Sequence, residues 1–377
     1  MTNARPLLLT KEQAQDAVCK HLPEARQAIL AAISEIPNSG YSHTSNAKTY
    51  SIDITSSPEF RDPPSSFFIT ISQPLPNSSE PQSDWRPNNL LLTHHILTLI
   101  RSNTDIPIPQ LVLDTSLSLP SIPYHYLISH PIPIRSQDLI SLSEAREKGL
   151  LDEKDNVFLN LQIGRFLGQM HSRVQNDWYG LIEKEEPRGP SYSWQETFTL
   201  FLETLLVEFE TDSDNGIALP HEEIRRLLSR AIGFYLFDDL EVPSLVWFTG
   251  SLADIYITVP SSTTSATIVT ILPNFPHALW GDPLLESVFM SYGVEGGKEK
   301  EALMEGYQAG GGGPILAFPR QRTKRIWYTL FMALVILKEV KNGDPRSTSG
   351  EQVGVDRQWA ISTISSCVKL LRNAPCY

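Results

Sequence analysis

The chain has 377 residues, of which 41% are hydrophobic and 20% charged, and its formal net charge is −12. That mixture is the composition of a folded globular chain, long enough for one two-lobed unit or two domains. The excess of carboxylates argues against a nucleic acid or an acidic membrane surface as partner. Three cysteines, Cys19, Cys367 and Cys376, show no metal-ligand spacing and read as reduced thiols of an intracellular protein, with Cys376 expected to be exposed. The opening MTNARPLLLTKEQ has no long apolar core, so no secretory signal is expected. The apolar run Ile326 to Leu337 is too short to span a bilayer and reads as a buried helix. The compartment expected from these features is the cytoplasm.

In chain order, Lys11 to Ile36 carries apolar residues at helical spacing, from Ala14 through Ile33, and Pro37-Asn38-Ser39-Gly40 stops it. Strands are expected over Lys48 to Thr55 and Ser66 to Gln73. The second alternates Phe67, Ile69 and Ile71 with Phe68, Thr70 and Ser72. Pro74 to Pro87 is a Pro/Ser-rich loop, and Asn89 to Asn103 a helix ended by Asp105-Ile106-Pro107-Ile108-Pro109. Strands follow near Gln110 to Asp114 and Tyr124 to Ser129. Helices are then expected over Asn156 to Val174, Trp194 to Glu210 and Glu222 to Phe237. The last set lies near Pro283 to Met290, Lys298 to Gln308, Thr323 to Val340 and Asp356 to Leu371.

Between Pro243 and Glu286 the pattern changes to strand, tight turn, strand, hairpin and strand, ending at Trp280-Gly281-Asp282-Pro283. This segment resembles the catalytic region of the aminoglycoside phosphotransferase and choline-kinase-like family. There a Leu-Val-His-Gly-Asp-Leu loop with a following Asn precedes a metal-binding Asp and Trp-Gly-Asp-Pro. The frame matches and the reactive side chains do not. The family's His falls on Thr249, its Gly on Gly250, its catalytic Asp on Ser251, its metal-binding Asn on Tyr256 and its second metal ligand on Asn274. Phosphoryl transfer needs a carboxylate at the acceptor hydroxyl and charged oxygen ligands for magnesium. From Val242 to Gly281 the only acidic residue is Asp254, three positions beyond the expected place.

The N-terminal half tells the same story. No Lys or Arg lies between Arg61 and Arg86, so Thr70 stands where the resemblance implies a phosphate-holding cation. No Asp or Glu lies between Asp84 and Asp105, and Thr93 stands where its Glu partner belongs. The turn Gly40 to Asn46 has a single glycine, a weak phosphate cradle, with Lys48 beyond it either a substitute cation or a solvated strand-start residue. Gly310 to Gly313 lacks the strand and the Lys-Ser/Thr of a phosphate loop and reads as a flexible joint. Arg320, Arg322, Lys324 and Arg325 read as the basic start of a helix, with an anion site as the alternative. Asp282 is expected to be structural; the resemblance implies that it accepts amide hydrogen bonds from the catalytic-type loop. Gly250 and Gly281 are expected to be structural too. His277, His130 and His94-His95 show no ligand spacing, and no metal is assigned.

The expected fold is α+β and protein-kinase-like: a small antiparallel-sheet lobe with a leading helix over 1–130 and a larger, mostly helical lobe over 131–377. The leading function is that of a pseudokinase, binding a small molecule or a protein in the interlobe cleft without phosphoryl transfer. Trp247, Thr249, Ser251, Tyr256, Asn274 and His277 would line that cleft. One alternative is a cleft reused for a cyclisation or isomerisation in secondary metabolism. The other is a weak kinase using Asp254 and Asn274, and only that reading calls for ATP and magnesium as cofactors.

Overall fold

The structure is a computed structural model that describes residues 7–22, 29–37, 40–55, 65–74, 85–132, 134, 138–187, 189–211, 219–258, 265–291, 297–342 and 350–376. Its described residues fall into two compact units, neither continuous in sequence. The first comprises Met1–Ser79, Asn88–Leu159 and Gly250–Pro276; the second comprises Glu80–Pro87, Asn160–Thr249 and His277–Tyr377.

The first unit opens with helix α1 (Lys11–His21). Thr10 caps it: its hydroxyl accepts from the Gln13 amide while the Gln13 side chain accepts from the Thr10 amide. The helix stops short of the expected Ile36. Leu22 precedes Pro23, which disfavours helical backbone at Leu22, and its φ of −117° and ψ of 80° are not helical. Ile29 to Glu35, read from spacing as the continuation of that helix, is instead strand β1 (Ile29–Glu35), paired antiparallel with β2 (Ala47–Thr55). Strand β3 (Ser65–Ser72), helix α2 (Leu90–Asn103), β4 (Leu111–Asp114) and β5 (His125–Ser129) complete a five-stranded antiparallel sheet of order β1-β2-β3-β5-β4.

One face of β3, Phe67, Ile69 and Ile71, packs with Ala14, Ala17 and Val18 of α1 in a single core. The opposite face carries Phe68, buried with Ile36, Ile132 and Leu272. The strand keeps its period-two alternation because Phe68 is the one apolar residue on that second face, beside Ser66, Thr70 and Ser72. Lys20 and His21, at the end of α1, are tied to Asp114 of β4 at 2.5 and 2.9 Å.

Two short elements, β6 (Leu139–Ser141) and α3 (Leu142–Glu147), lead into the long helix α4 (Glu153–Arg173). In the second unit come β7 (Gly180–Leu181), α5 (Trp194–Thr211), α6 (His221–Gly233) and β8 (Ser244–Val246). The chain re-enters the first unit with a 3-10 turn (Leu252–Asp254), β9 (Ile255–Thr258) and β10 (Ile268–Ile271). Strand β6 pairs with β9 and β9 with β10, giving a second antiparallel sheet. Strand β11 (Leu279–Gly281) then lies between β7 and β8 in the second unit, followed by two 3-10 turns and helices α7 (Lys298–Ala309), α8 (Pro319–Asn342) and α9 (Gly350–Asn373).

Helices α4 and α7 approach through glycines. A Cβ on Gly164 would lie 2.0 Å from the Leu303 carbonyl oxygen, and one on Gly306 would lie 2.0 Å from that of Leu161. Only glycine lets the two backbones come so close. Helix α8 carries the apolar run of the sequence, and its residues from Trp327 to Leu337 are buried apart from Thr329. Cys376, expected at the surface, is buried, because the C-terminal segment docks on α8: the Thr323 hydroxyl donates to the Pro375 carbonyl at 2.6 Å.

Candidate functional site

Of the degenerate catalytic-type positions of the first unit, Ser251 contacts Asp254 directly and Asn274 reaches it through Ser42. Ser251 caps the 3-10 turn Leu252–Asp254, and the turn folds Asp254 back beneath it. One carboxylate oxygen of Asp254 accepts from the Ser251 amide at 2.9 Å and from the Ser251 hydroxyl at 3.0 Å. The other accepts from the Ser42 hydroxyl at 2.5 Å, across 212 residues of sequence. Ser42 in turn accepts from the Asn274 side-chain amide at 3.1 Å. Asp254 and Ser42 are both fully buried. The Gly40–Asn46 turn therefore rests directly on the catalytic-type loop. A Cβ at Gly40 would lie 2.4 Å from the Ser251 hydroxyl oxygen, so a side chain there would displace that hydroxyl from Asp254.

Tyr256, on β9, places its ring edge-to-face against Phe68 at 5.8 Å and 62°. It belongs to the apolar cluster of Ile36, Ile132 and Leu272. Burial, reinforced by the charges of Asp254 and Glu144, pushes its phenol pKa up to about 12, so it stays protonated. Thr70 is buried, and its hydroxyl pairs with that of Thr49, its cross-strand neighbour, at 2.9 Å. Thr93 is buried on the inner face of α2. Lys48 does not stand free: it pairs with Glu35 on β1 at 2.8 Å.

In the second unit, Trp247, Phe248 and Thr249 form a tight turn. The Thr249 amide donates to the Trp247 carbonyl at 2.9 Å across Phe248, whose φ is +64°. That is the geometry of a γ-turn, which costs a buried aromatic residue roughly 1–3 kcal/mol and persists only where its surroundings over-determine it. Two adjacent residues supply that constraint. Glu286 accepts from the Trp247 amide at 2.8 Å, and the Ser287 amide donates to the Phe248 carbonyl at 3.0 Å. Glu286, fully buried, also contacts His171 at 3.1 Å, and the other ring nitrogen of His171 meets the Tyr307 hydroxyl at 2.9 Å.

Asp282 is buried and structural in its contacts, but with partners other than those the resemblance implies. It accepts from the Leu284 amide at 2.9 Å, from the Tyr328 hydroxyl at 2.7 Å and from the Lys324 ammonium at 2.5 Å. The carboxylate that accepts an amide next to the catalytic-type loop is Glu286, a residue for which the sequence offered no signal beyond its place after Gly-Asp-Pro. Gly281 is fixed by packing, since a Cβ there would lie 2.8 Å from the Trp194 ring.

The supposed basic helix start is corrected in part. Lys324 is buried between Asp282 and Asp239, at 2.5 and 2.6 Å. Burial pulls its pKa down, but the two carboxylates outweigh it and the net direction is up. Arg325 is half-buried, its guanidinium donating to the Leu284 carbonyl, and desolvation of that group lowers its pKa to about 10. Neither cation is presented to a ligand. His277 is buried, stacked on Trp85 at 6.0 Å, with its Nε2 3.9 Å from Glu339. Burial, with Lys338 adding repulsion, lowers its pKa to about 3 and keeps the imidazole neutral.

Of the residues expected around a ligand, Ser251, Tyr256 and Asn274 lie in the first unit and Trp247, Thr249 and His277 in the second. Among the described residues no three His, Cys, Asp or Glu side chains gather as a metal site. No described helix is long and apolar enough to cross a membrane.

No family model and no curated protein matches the sequence. Solved structures do. A protein assigned as an aminoglycoside phosphotransferase, from Ralstonia eutropha, aligns with a TM-score of 0.56 at 12% identity over 97% of this chain and 99% of its own. A choline/ethanolamine kinase family protein from Mesorhizobium loti aligns with a TM-score of 0.51 at 12% identity, over 97% of this chain and 96% of its own. The chain thus has the protein-kinase-like fold of the aminoglycoside phosphotransferase and choline kinase class, with an antiparallel-sheet N-lobe and a helical C-lobe.

Proposed function

We propose that this chain is a pseudokinase of the aminoglycoside phosphotransferase-like fold, which binds an uncharged or weakly polar small molecule, or a protein, without transferring a phosphoryl group. The observation that carries the reading is the state of Asp254. It is the only carboxylate between Val242 and Gly281, it is fully buried, and its oxygens already accept three hydrogen bonds from Ser42 and Ser251. A general base must offer a free oxygen to the acceptor hydroxyl, and a metal site must offer charged oxygens to magnesium. The residues present do not fit magnesium and a triphosphate: Ser251, Tyr256 and Asn274 are neutral, and Tyr256 is packed on Phe68. The contact between Ser42 and Asp254 also joins the two loops between which phosphates would have to be held. The absence of nucleic acid and membrane partners is part of the proposal, supported by the net charge of −12, and so is a cytoplasmic location, supported by the reading of Cys19, Cys367 and Cys376 as reduced thiols.

The test is thermal-shift titration of the intact chain with ATP, with and without magnesium, together with ADP release in the presence of hydroxylated acceptors. Weak or absent nucleotide binding, unchanged by magnesium, is expected. Tight magnesium-dependent ATP binding, or turnover abolished by Asp254→Ala, refutes the proposal and favours the weak-kinase reading.

A further inference from the structure

A groove of about 360 Å³ lies on the first unit between helix α2 and the chain entering β4. Its walls differ in chemistry. Pro109 and Leu111 line it from the chain entering β4, and α2 contributes His94, Leu97, Thr98, Arg101 and Ser102. His94, Thr98 and Arg101 recur at spacings of four and three, which places them on one face of α2.

The hydroxyl protons of this face are already committed. Thr98 donates to the His94 carbonyl at 2.8 Å and Ser102 to the Thr98 carbonyl at 2.7 Å. The donors left for a ligand are the Arg101 guanidinium and the His94 ring. Among the described residues neither side chain has a hydrogen-bonding or ionic partner. Arg101 is exposed on a chain whose net charge is −12, where carboxylates are plentiful, yet none among the described residues is paired with it.

We propose that this groove is a binding site for a small amphipathic carboxylate, with the carboxylate on Arg101 and an aryl or short alkyl body against Leu97, Pro109 and Leu111. A guanidinium presents a planar pair of N–H donors that matches a carboxylate, and apolar walls with a few convergent polar groups are the usual make-up of small-ligand pockets. The volume is at the lower end of such pockets, which suits a compact ligand. The site shares no residue with the Ser42–Asp254 cluster, and the inference stands or falls independently of the pseudokinase reading.

The experiment uses the full chain and two matched probes, 3-(4-fluorophenyl)propanoate and its neutral amide, followed by fluorine NMR relaxation. The acid is expected to bind, with the amide at least tenfold weaker. Arg101→Gln should weaken acid binding at least tenfold, and Thr98→Glu, which adds a like charge to the same exposed helix face, should abolish it. Circular dichroism confirms that both variants remain folded, as expected for exposed positions. Equal binding of acid and amide, binding unaffected by Arg101→Gln, or no binding of the acid at millimolar concentration each overturns the proposal.

Discussion

Asp254→Ala separates a carboxylate that holds the loop together from one that is kept ready for chemistry. In the structure Asp254 is fully buried and accepts from the Ser42 hydroxyl, the Ser251 amide and the Ser251 hydroxyl. Hydrogen bonds to a charged acceptor contribute about 1.5–3 kcal/mol each, less whatever the freed donors regain from water or new partners. A net loss of roughly 2–4 kcal/mol follows, because the Ser251 amide and the buried Ser42 hydroxyl are stranded together. If the 377 residues melt in one transition, the unfolding entropy is roughly 0.8 kcal/mol/K, so the melting temperature should fall by about 3–5 °C. Ser42→Ala should cost less by itself and almost nothing in the Asp254→Ala background, giving a coupling of about 1 kcal/mol or more in a double-mutant cycle. Differential scanning fluorimetry and urea unfolding of the four proteins read this directly. A catalytic carboxylate is commonly held at a cost to stability, and its removal leaves the protein unchanged or more stable. An unchanged or raised melting temperature for Asp254→Ala would therefore refute the reasoning.

Two further outcomes are expected. Asp282→Ala should destabilise by roughly 3–5 kcal/mol, because it leaves the buried Lys324 without one of its two carboxylates and Tyr328 without its acceptor, whereas Ser251→Ala should cost much less; comparable small effects in urea unfolding would contradict the structural role of Asp282. Burial raises the Glu339 pKa from 4.5 to about 7, with Lys338 opposing and Glu208 reinforcing the rise, so the folded chain binds a proton there that the unfolded chain has released. Stability should fall as pH rises from about 4.5 through 7, by roughly 3 kcal/mol for this group, and Glu339→Gln should remove that loss, leaving the melting temperature unaffected near pH 4.5 and raised at pH 8; an equal effect at both pH values would count against it.

The helices and strands with strong periodicity were legible in the sequence because their patterns report local geometry. The helix expected over Asn89 to Asn103 is α2, beginning at Leu90 behind an Asn89 cap, and the alternation of Phe67 to Ser72 appears as β3. The order of elements and the Trp280-Gly281-Asp282-Pro283 stop pointed to the kinase-like fold that the structural neighbours share. Ile29 to Glu35 was misread, since apolar residues every third or fourth position also suit an edge strand when β2 supplies a ladder of backbone hydrogen bonds. The loss of acidic residues around Ser251 was visible from composition alone, but the use made of the remaining one was not. Asp254 meets a serine 212 residues away, and no spacing rule encodes that distance. The same holds for Glu286, whose buried carboxylate holds the strained turn at Phe248, and for Lys324, which reads in the sequence as one of a run of helix-start cations and in the fold lies buried between Asp239 and Asp282. Local pattern determines which segments become helix or strand. Which polar group satisfies which is decided only when burial forces each one to find a partner, and that choice is made in the tertiary structure.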